Sequence, residues 1–272
     1  MRKEISIILM MLLFLMPVLC QATIFTEDGT ISGGTYSDVT IESTATVSMT
    51  AGNVESMLIS QMGTLNHYGG TIGQEIYLQN SGTLNLEGAT FQGTQGMSMF
   101  NDSVFNLNTG YLSTSMELND YVEANINNGQ ITDSSLNLNS YAVTNIYDGD
   151  TDWDNVMIGQ FSTLNIRGGS AVWDSISISQ NAILNIYGGE LTFTQGFNLQ
   201  DEGEINVYYS SIIYHEYDPI IVGYRLLDNR EFMLDQFSQS EIDQINFIPE
   251  PTTFLLLGLG TIMLRKRKAN PS

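Results

Sequence analysis

One cysteine, two histidines and five prolines in 272 residues leave little room for several kinds of chemistry. The cysteine is Cys20, inside the amino-terminal apolar run, so no disulfide can staple the body of the chain once that run is removed. No thiolate metal or redox site can form there either. His67 and His215 stand far apart and have no thiol partner, which argues against zinc. Basic charge is scarcer still. Arg2 and Lys3 begin the chain and Arg265, Lys266, Arg267 and Lys268 end it; between residues 23 and 248 only Arg167, Arg225 and Arg230 remain. Thirty acidic residues bring the net charge to −21. Such a field repels phosphate backbones and anionic lipid, which excludes nucleic acid as a partner, and it favours divalent cations.

The two ends carry segments of a different kind. Arg2 and Lys3 precede an apolar run from Ile5 to Leu19, and Cys20-Gln21-Ala22 follows. This basic, apolar, small-residue order predicts a secretory signal over residues 1–22, cut after Ala22. A lipoprotein reading of Cys20 fits poorly, because bulky Leu19 precedes it. At the other end Pro249-Glu250-Pro251 leads into an apolar stretch from Phe254 to Leu264 and then Arg265-Lys266-Arg267-Lys268. The stretch is well short of the roughly twenty residues that span a bilayer comfortably. A short anchor stopped by cytoplasmic positive charge is one reading. Motif, short Gly/Leu-rich helix and basic cluster in this order also resemble the PEP-CTERM sorting domain, over residues 248–270. Ile248 stands where that family more often has Val. The resemblance implies a tail read by a membrane-embedded exosortase, which cuts near Pro249, Glu250 and Pro251 and releases or attaches the protein outside. It further implies transient inner-membrane association through residues 254–264, and a setting rich in extracellular polysaccharide.

Between the ends the chain repeats itself. Leu65-Asn66-His67-Tyr68-Gly69-Gly70, Leu164-Asn165-Ile166-Arg167-Gly168-Gly169 and Leu184-Asn185-Ile186-Tyr187-Gly188-Gly189 are variants of one string. Anchored on the asparagine, the series runs Asn66, Asn85, Asn106, Asn125, Asn145, Asn165, Asn185 and Asn206, at intervals of 19 to 21 residues. Ser48 extends it backwards, and Thr30 marks a partial first turn. The positions nine and seven before each anchor are apolar throughout, from Val39 and Ile41 to Phe197 and Leu199. The residues flanking the anchor are mostly apolar too, so the side chains alternate inward and outward as in strands. Glycine follows at three or four past most anchors, where the chain must bend. Beyond the bend comes a weaker apolar position, Ile72, Phe91, Leu112, Ile131, Leu191 and Ile212, broken by Thr151 and Ala171.

A unit of about twenty residues with two firm strands, a weaker third and a glycine corner predicts an all-β protein, a single-stranded parallel β-helix. About nine coils over residues 23–213 share one core, flanked by the signal helix and the carboxy-terminal apolar helix. A propeller blade needs about forty residues and fits only if the units pair. Residues 214–247 break the pattern and read as a cap over the last coil.

Several outward positions are candidates for function. The asparagine column has the form of a hydrogen-bonded ladder, and alternatively of a polar row for sugar or ice. Tyr68, Tyr147, Tyr187 and Tyr208, two past the anchor, are candidates for stacking on sugar rings. Asp148, Asp150, Asp152 and Asp154 alternate at a glycine bend and suggest Ca²⁺, which takes several hard oxygens, although the EF-hand pattern is absent. His67 replaces an apolar residue at an inward position and reads as a hydrogen-bonded residue of an end coil rather than a ligand. Catalysis is disfavoured: lysine is absent from the body, and even coils leave no loops to wall a cleft. The sequence therefore predicts a non-catalytic, exported structural or adhesive protein of the cell surface or extracellular matrix. The alternatives are a carbohydrate-binding or ice-binding module and, more remotely, a polysaccharide-cleaving enzyme.

Overall fold

A computed structural model describes residues 22–194, 197–200, 202–209, 211–214, 221–224, 231–235 and 242–249. The two terminal helices expected from the sequence lie outside these residues. Within them the chain is all β: a parallel solenoid of about nine turns.

The coil around Asn145 shows how the sequence builds a turn. Val143–Ile146 forms a short strand, and Tyr147-Asp148-Gly149 makes a corner. Asp150–Ile158 then runs as one long strand with a bend inside it. Thr151 and Trp153 point inward, then Val156 and Ile158 do, a shift of phase that marks the bend. The ladder skips Asp154 and Asp174 there, passing from Trp153↔Trp173 to Asn155↔Ser175. Each turn thus has three faces, and the weak third strand of the sequence pattern is continuous with the first firm strand of the next repeat.

Stacking is in register along the anchor. Asn125 pairs with Asn145, Asn145 with Asn165 and Asn165 with Asn185. Thr30 lies beside Ser48, and Ser48 beside Asn66, as the extended series requires. The two apolar columns before the anchor, from Val39 and Ile41 to Ile176 and Ile178, are at most 2 % exposed. Each fully buried Leu, Ile or Met there contributes about 1.5–3 kcal/mol. No coil could bury this face alone, so the core exists only in the stack. Thr151 and Ala171, the small residues that break the third apolar column, lie inward beside Trp153 and Trp173. The two indoles pack 5.4 Å apart, and Trp173 Nε1–H donates to Thr151 Oγ1 at 3.2 Å. Large side chains two residues on fill the volume that the small ones leave.

Two kinds of corner close the turn. At the first, Gly149 has φ of +106°, and a Cβ on it would stand 2.5 Å from the Gly129 carbonyl oxygen. Glycine is required there both by the dihedral and by the approach of the coil beneath. The other corner places non-glycine residues in the left-handed region, as at Asn80 and Ser81 or Gln160 and Phe161. The amide after them bonds back across the turn, Gly82 N to Gln79 O at 3.1 Å and Ser162 N to Gly159 O at 3.1 Å. Positive φ at both central residues is the signature of a type I′ turn. The residue that follows is small and buried in most coils: Ala45, Gly63, Gly82, Ser103, Ala142, Ser162 and Ala182.

The carboxy-terminal end departs from the sequence reading. Ser211–Tyr214, with Ile212, does not stack as a third strand on the coil below. It pairs antiparallel with Ile221–Tyr224, which pairs antiparallel with Glu231–Asp235. Glu231–Asp235 takes the vacated place, lying parallel on Gly189–Phe193. Ile245–Pro249 then resumes the stack on Glu204–Tyr209, with Asn246 beside Asn206. The column reading stops at Ile213 because this coil holds an insertion that doubles the anchor interval to 40 residues.

Candidate functional site

The outward asparagines form one unbroken ladder. Each Nδ2 donates to the Oδ1 of the preceding coil: Asn85 to Asn66 at 2.8 Å, Asn106 to Asn85 at 2.8 Å and Asn125 to Asn106 at 3.1 Å. It continues through Asn145, Asn165 and Asn185 at 2.9–3.0 Å. Asn206 to Asn185 at 3.2 Å and Asn246 to Asn206 at 3.1 Å complete it. The strands set the spacing, because neighbouring coils lie one strand separation apart, the reach of one amide–amide bond. The column is therefore a ladder, and its polar atoms bond along the solenoid axis.

The neighbouring column, two past the anchor, behaves likewise. Tyr187 and Tyr208 stack with ring centroids 4.5 Å apart and planes 11° apart. The Arg167 guanidinium lies 5.7 Å from the Tyr147 ring centre and 4.7 Å from that of Tyr187. Tyr147, Arg167, Tyr187 and Tyr208 thus form one cation–π and π stack. Burial first, then the charge of Tyr187 and its hydrogen bond, then the charge of Glu204, raise the Tyr208 pKa above its ordinary 10.0. Tyr68 stands apart from this stack, half exposed. Between it and Tyr147, Asn127 donates to Asn108 and Asn108 to Glu87, both at 2.7 Å. Three of the four tyrosines singled out for sugar stacking are brought together, Tyr187 facing Tyr208 and the Arg167 guanidinium lying between the Tyr147 and Tyr187 rings.

A further aromatic column escaped the sequence reading. Tyr121 and Tyr141 stack at 5.1 Å, and Tyr141 and Phe161 at 5.6 Å, on the left-handed corner. The spacing of four before the anchor, at 121, 141 and 161, was visible in the sequence; the corner conformation that aligns the rings was not.

The acidic run does not converge. Asp150, Asp152 and Asp154 alternate outward along an extended strand, and Asp148 Oδ1 accepts from the Gly149 amide at 2.9 Å. Among the described residues no three His, Cys, Asp or Glu side chains lie close enough to hold a metal ion. The Ca²⁺ expectation for these aspartates thus finds no ligand set: an extended strand separates successive outward carboxylates by about 6.6 Å.

His67 is fully buried, between Met49 and Leu86 in its column. Neither ring nitrogen has a hydrogen-bond partner at full geometry. Desolvation lowers its pKa below 6.5, and the Gly70 backbone offsets part of that fall. His215, Glu250, Pro251 and residues 254–264 lie outside the described residues, whereas Pro249 ends the last described strand, opposite Tyr209.

These features define the class: an acidic parallel β-solenoid on which the anchor asparagines, and much of the column two past them, are bonded or stacked from coil to coil. No known family model matches the chain, and comparison with curated proteins and with solved structures returns no significant match.

Proposed function

We propose that this chain is an exported, non-catalytic structural or adhesive protein of the cell surface or extracellular matrix. The observation that carries the reading is the ladder from Asn66 to Asn246. It engages the outward polar groups along the axis and makes a stiff, self-satisfied rod of the molecule, the property of a spacer or matrix element. The signal-like start and the tail resembling a PEP-CTERM domain support export and processing by an exosortase-type enzyme. Extracellular polysaccharide is the partner that this setting supplies.

Changing Pro249, Glu250 and Pro251 to alanine in cells is expected to leave the precursor at full length, read by immunoblot. Normal maturation would overturn the sorting assignment. Pro249 belongs to the last stacked strand, so Glu250→Ala alone is the control that spares this strand. It should block processing as well, with an unchanged circular-dichroism spectrum.

A further inference from the structure

Among the described residues, part of the outer surface lies outside the bonded and stacked columns. A groove of about 390 Å³ runs beside the glycine corner, across the coils anchored at Asn85, Asn106, Asn125 and Asn145. Its volume is in the range of small-ligand sites, about 300–1,000 Å³. Gly110, Gly129, Tyr111, Asn128, Gln130 and Asp150 line it. Tyr111 is held differently from the tyrosines of the ladder. Its hydroxyl shares a 2.5 Å hydrogen bond with Thr132 Oγ1 of the next coil, which tethers the ring where it lines the groove. The side chains of Asn128, Gln130 and Asp150 make no hydrogen bond among the described residues, whereas the asparagines of the ladder bond to one another.

From this we infer that the groove is a glycan subsite. A tethered aromatic ring beside free amide and carboxylate groups is the chemistry that recognises a pyranose: the ring meets its C–H face, and the polar groups meet its hydroxyls. Apart from the Tyr111 ring, no apolar side chain lines the groove to anchor a peptide. Its one charged lining residue is Asp150, on a chain of net charge −21, so an acidic glycan is repelled. The class is a neutral or amino-bearing glycan. Four coils, about 14 Å along the axis, accommodate a short oligosaccharide segment lying parallel to the solenoid. The inference draws on the surface-protein reading only for the polymer met in the cell; binding itself stands on the groove.

The test is titration calorimetry of the purified full chain. The probes are gluco-oligosaccharides, chitosan oligosaccharides and oligogalacturonate of equal length. A neutral or amino-bearing probe should bind and oligogalacturonate should not. Tyr111→Ala should weaken binding roughly three- to tenfold, the worth of one aromatic contact. Thr132→Val, which frees the phenol but keeps the ring, should weaken it about twofold to threefold. Tyr187→Ala, in the stacked ladder, should leave affinity unchanged. Circular dichroism confirms that each variant is folded, and Tyr111→Phe serves if Tyr111→Ala is not. It should behave like Thr132→Val, because it too removes only the tether. The inference is overturned if no probe binds, if oligogalacturonate binds best, if both Tyr111 variants bind as tightly as the parent, or if Tyr187→Ala loses as much. Precursor maturation decides the sorting assignment separately, so either can fail without the other.

Discussion

His67 occupies a column that is otherwise aliphatic or methionine in its neighbours, and neither ring nitrogen makes a well-formed hydrogen bond there, the Gly70 backbone compensating only in part. A buried, unsatisfied polar group costs about 1–3 kcal/mol. Its folded pKa lies below the ordinary 6.5, so as pH falls the unfolded chain takes up a proton that the folded chain refuses. The folded state is then fully favoured above about pH 6.5, and this contribution is lost progressively below it. His67→Leu matches the neighbouring Leu86 in kind and is expected to stabilise the protein by about 1–3 kcal/mol at pH 8. The gain should be larger at pH 5, because the replacement has no proton to refuse. Urea unfolding of both proteins at the two pH values gives the comparison. An equal difference at both would show that folding does not lower the His67 pKa. The inward placement of His67 was legible from its position beside the anchor. The hydrogen bond expected for it is not well formed, since that depends on which groups the adjacent coils bring near.

The ladder makes a prediction at the level of the rung. Asn145 donates to Asn125 and accepts from Asn165, so Asn145→Ala removes two hydrogen bonds and strands one group on each neighbour. At about 1 kcal/mol net per bond, a loss of about 2–3 kcal/mol is expected. Asn246 makes a single ladder bond, to Asn206, and Asn246→Ala should cost about 1 kcal/mol. Chemical denaturation measures both, and equal costs would mean that the rungs do not act as a chain. The asparagine column was legible because its interval is nearly constant. Asn246 was hidden by the doubled interval, although Ile245-Asn246-Phe247 repeats the local string. The left-handed corners were hidden for a different reason. Asn and Asp supply some of them, but Gln61, Met62, Gln160, Phe161, Gln180 and Glu202 have no such preference, and there the stack imposes the turn. The ring stacks have the same origin: two-past-the-anchor spacing put Tyr187 and Tyr208 in one column, but only their rotamers decide that they face each other.

A molecule assembled this way is close to one-dimensional. Each coil touches its two neighbours, and stability is nearly a sum of coil terms and interface terms. Column periodicity therefore revealed the architecture from sequence, because each inward position repeats about nine times under the same constraint. Trp153 and Trp173 were harder to place, since their neighbours Thr151 and Ala171 read as gaps in the third apolar column, and only the packing shows that the indoles fill them. The same regularity predicts that a whole coil can be removed. Deleting residues 127–146 joins Ile126 to Tyr147, and the existing pairings Asn106↔Asn125 and Asn145↔Asn165 show that each interface uses the same register. Asn165 should then stack on Asn125, the apolar columns should stay aligned, and the rod should shorten by about 4.8 Å. The expected product keeps its β circular-dichroism spectrum, is shorter by small-angle scattering, and melts at a lower temperature for want of one interface. Deleting residues 127–136 removes half a coil, brings outward positions against the core, and should abolish folding. If the half-coil deletion folds as well as the full one, the columns do not set the register and the one-dimensional account is wrong.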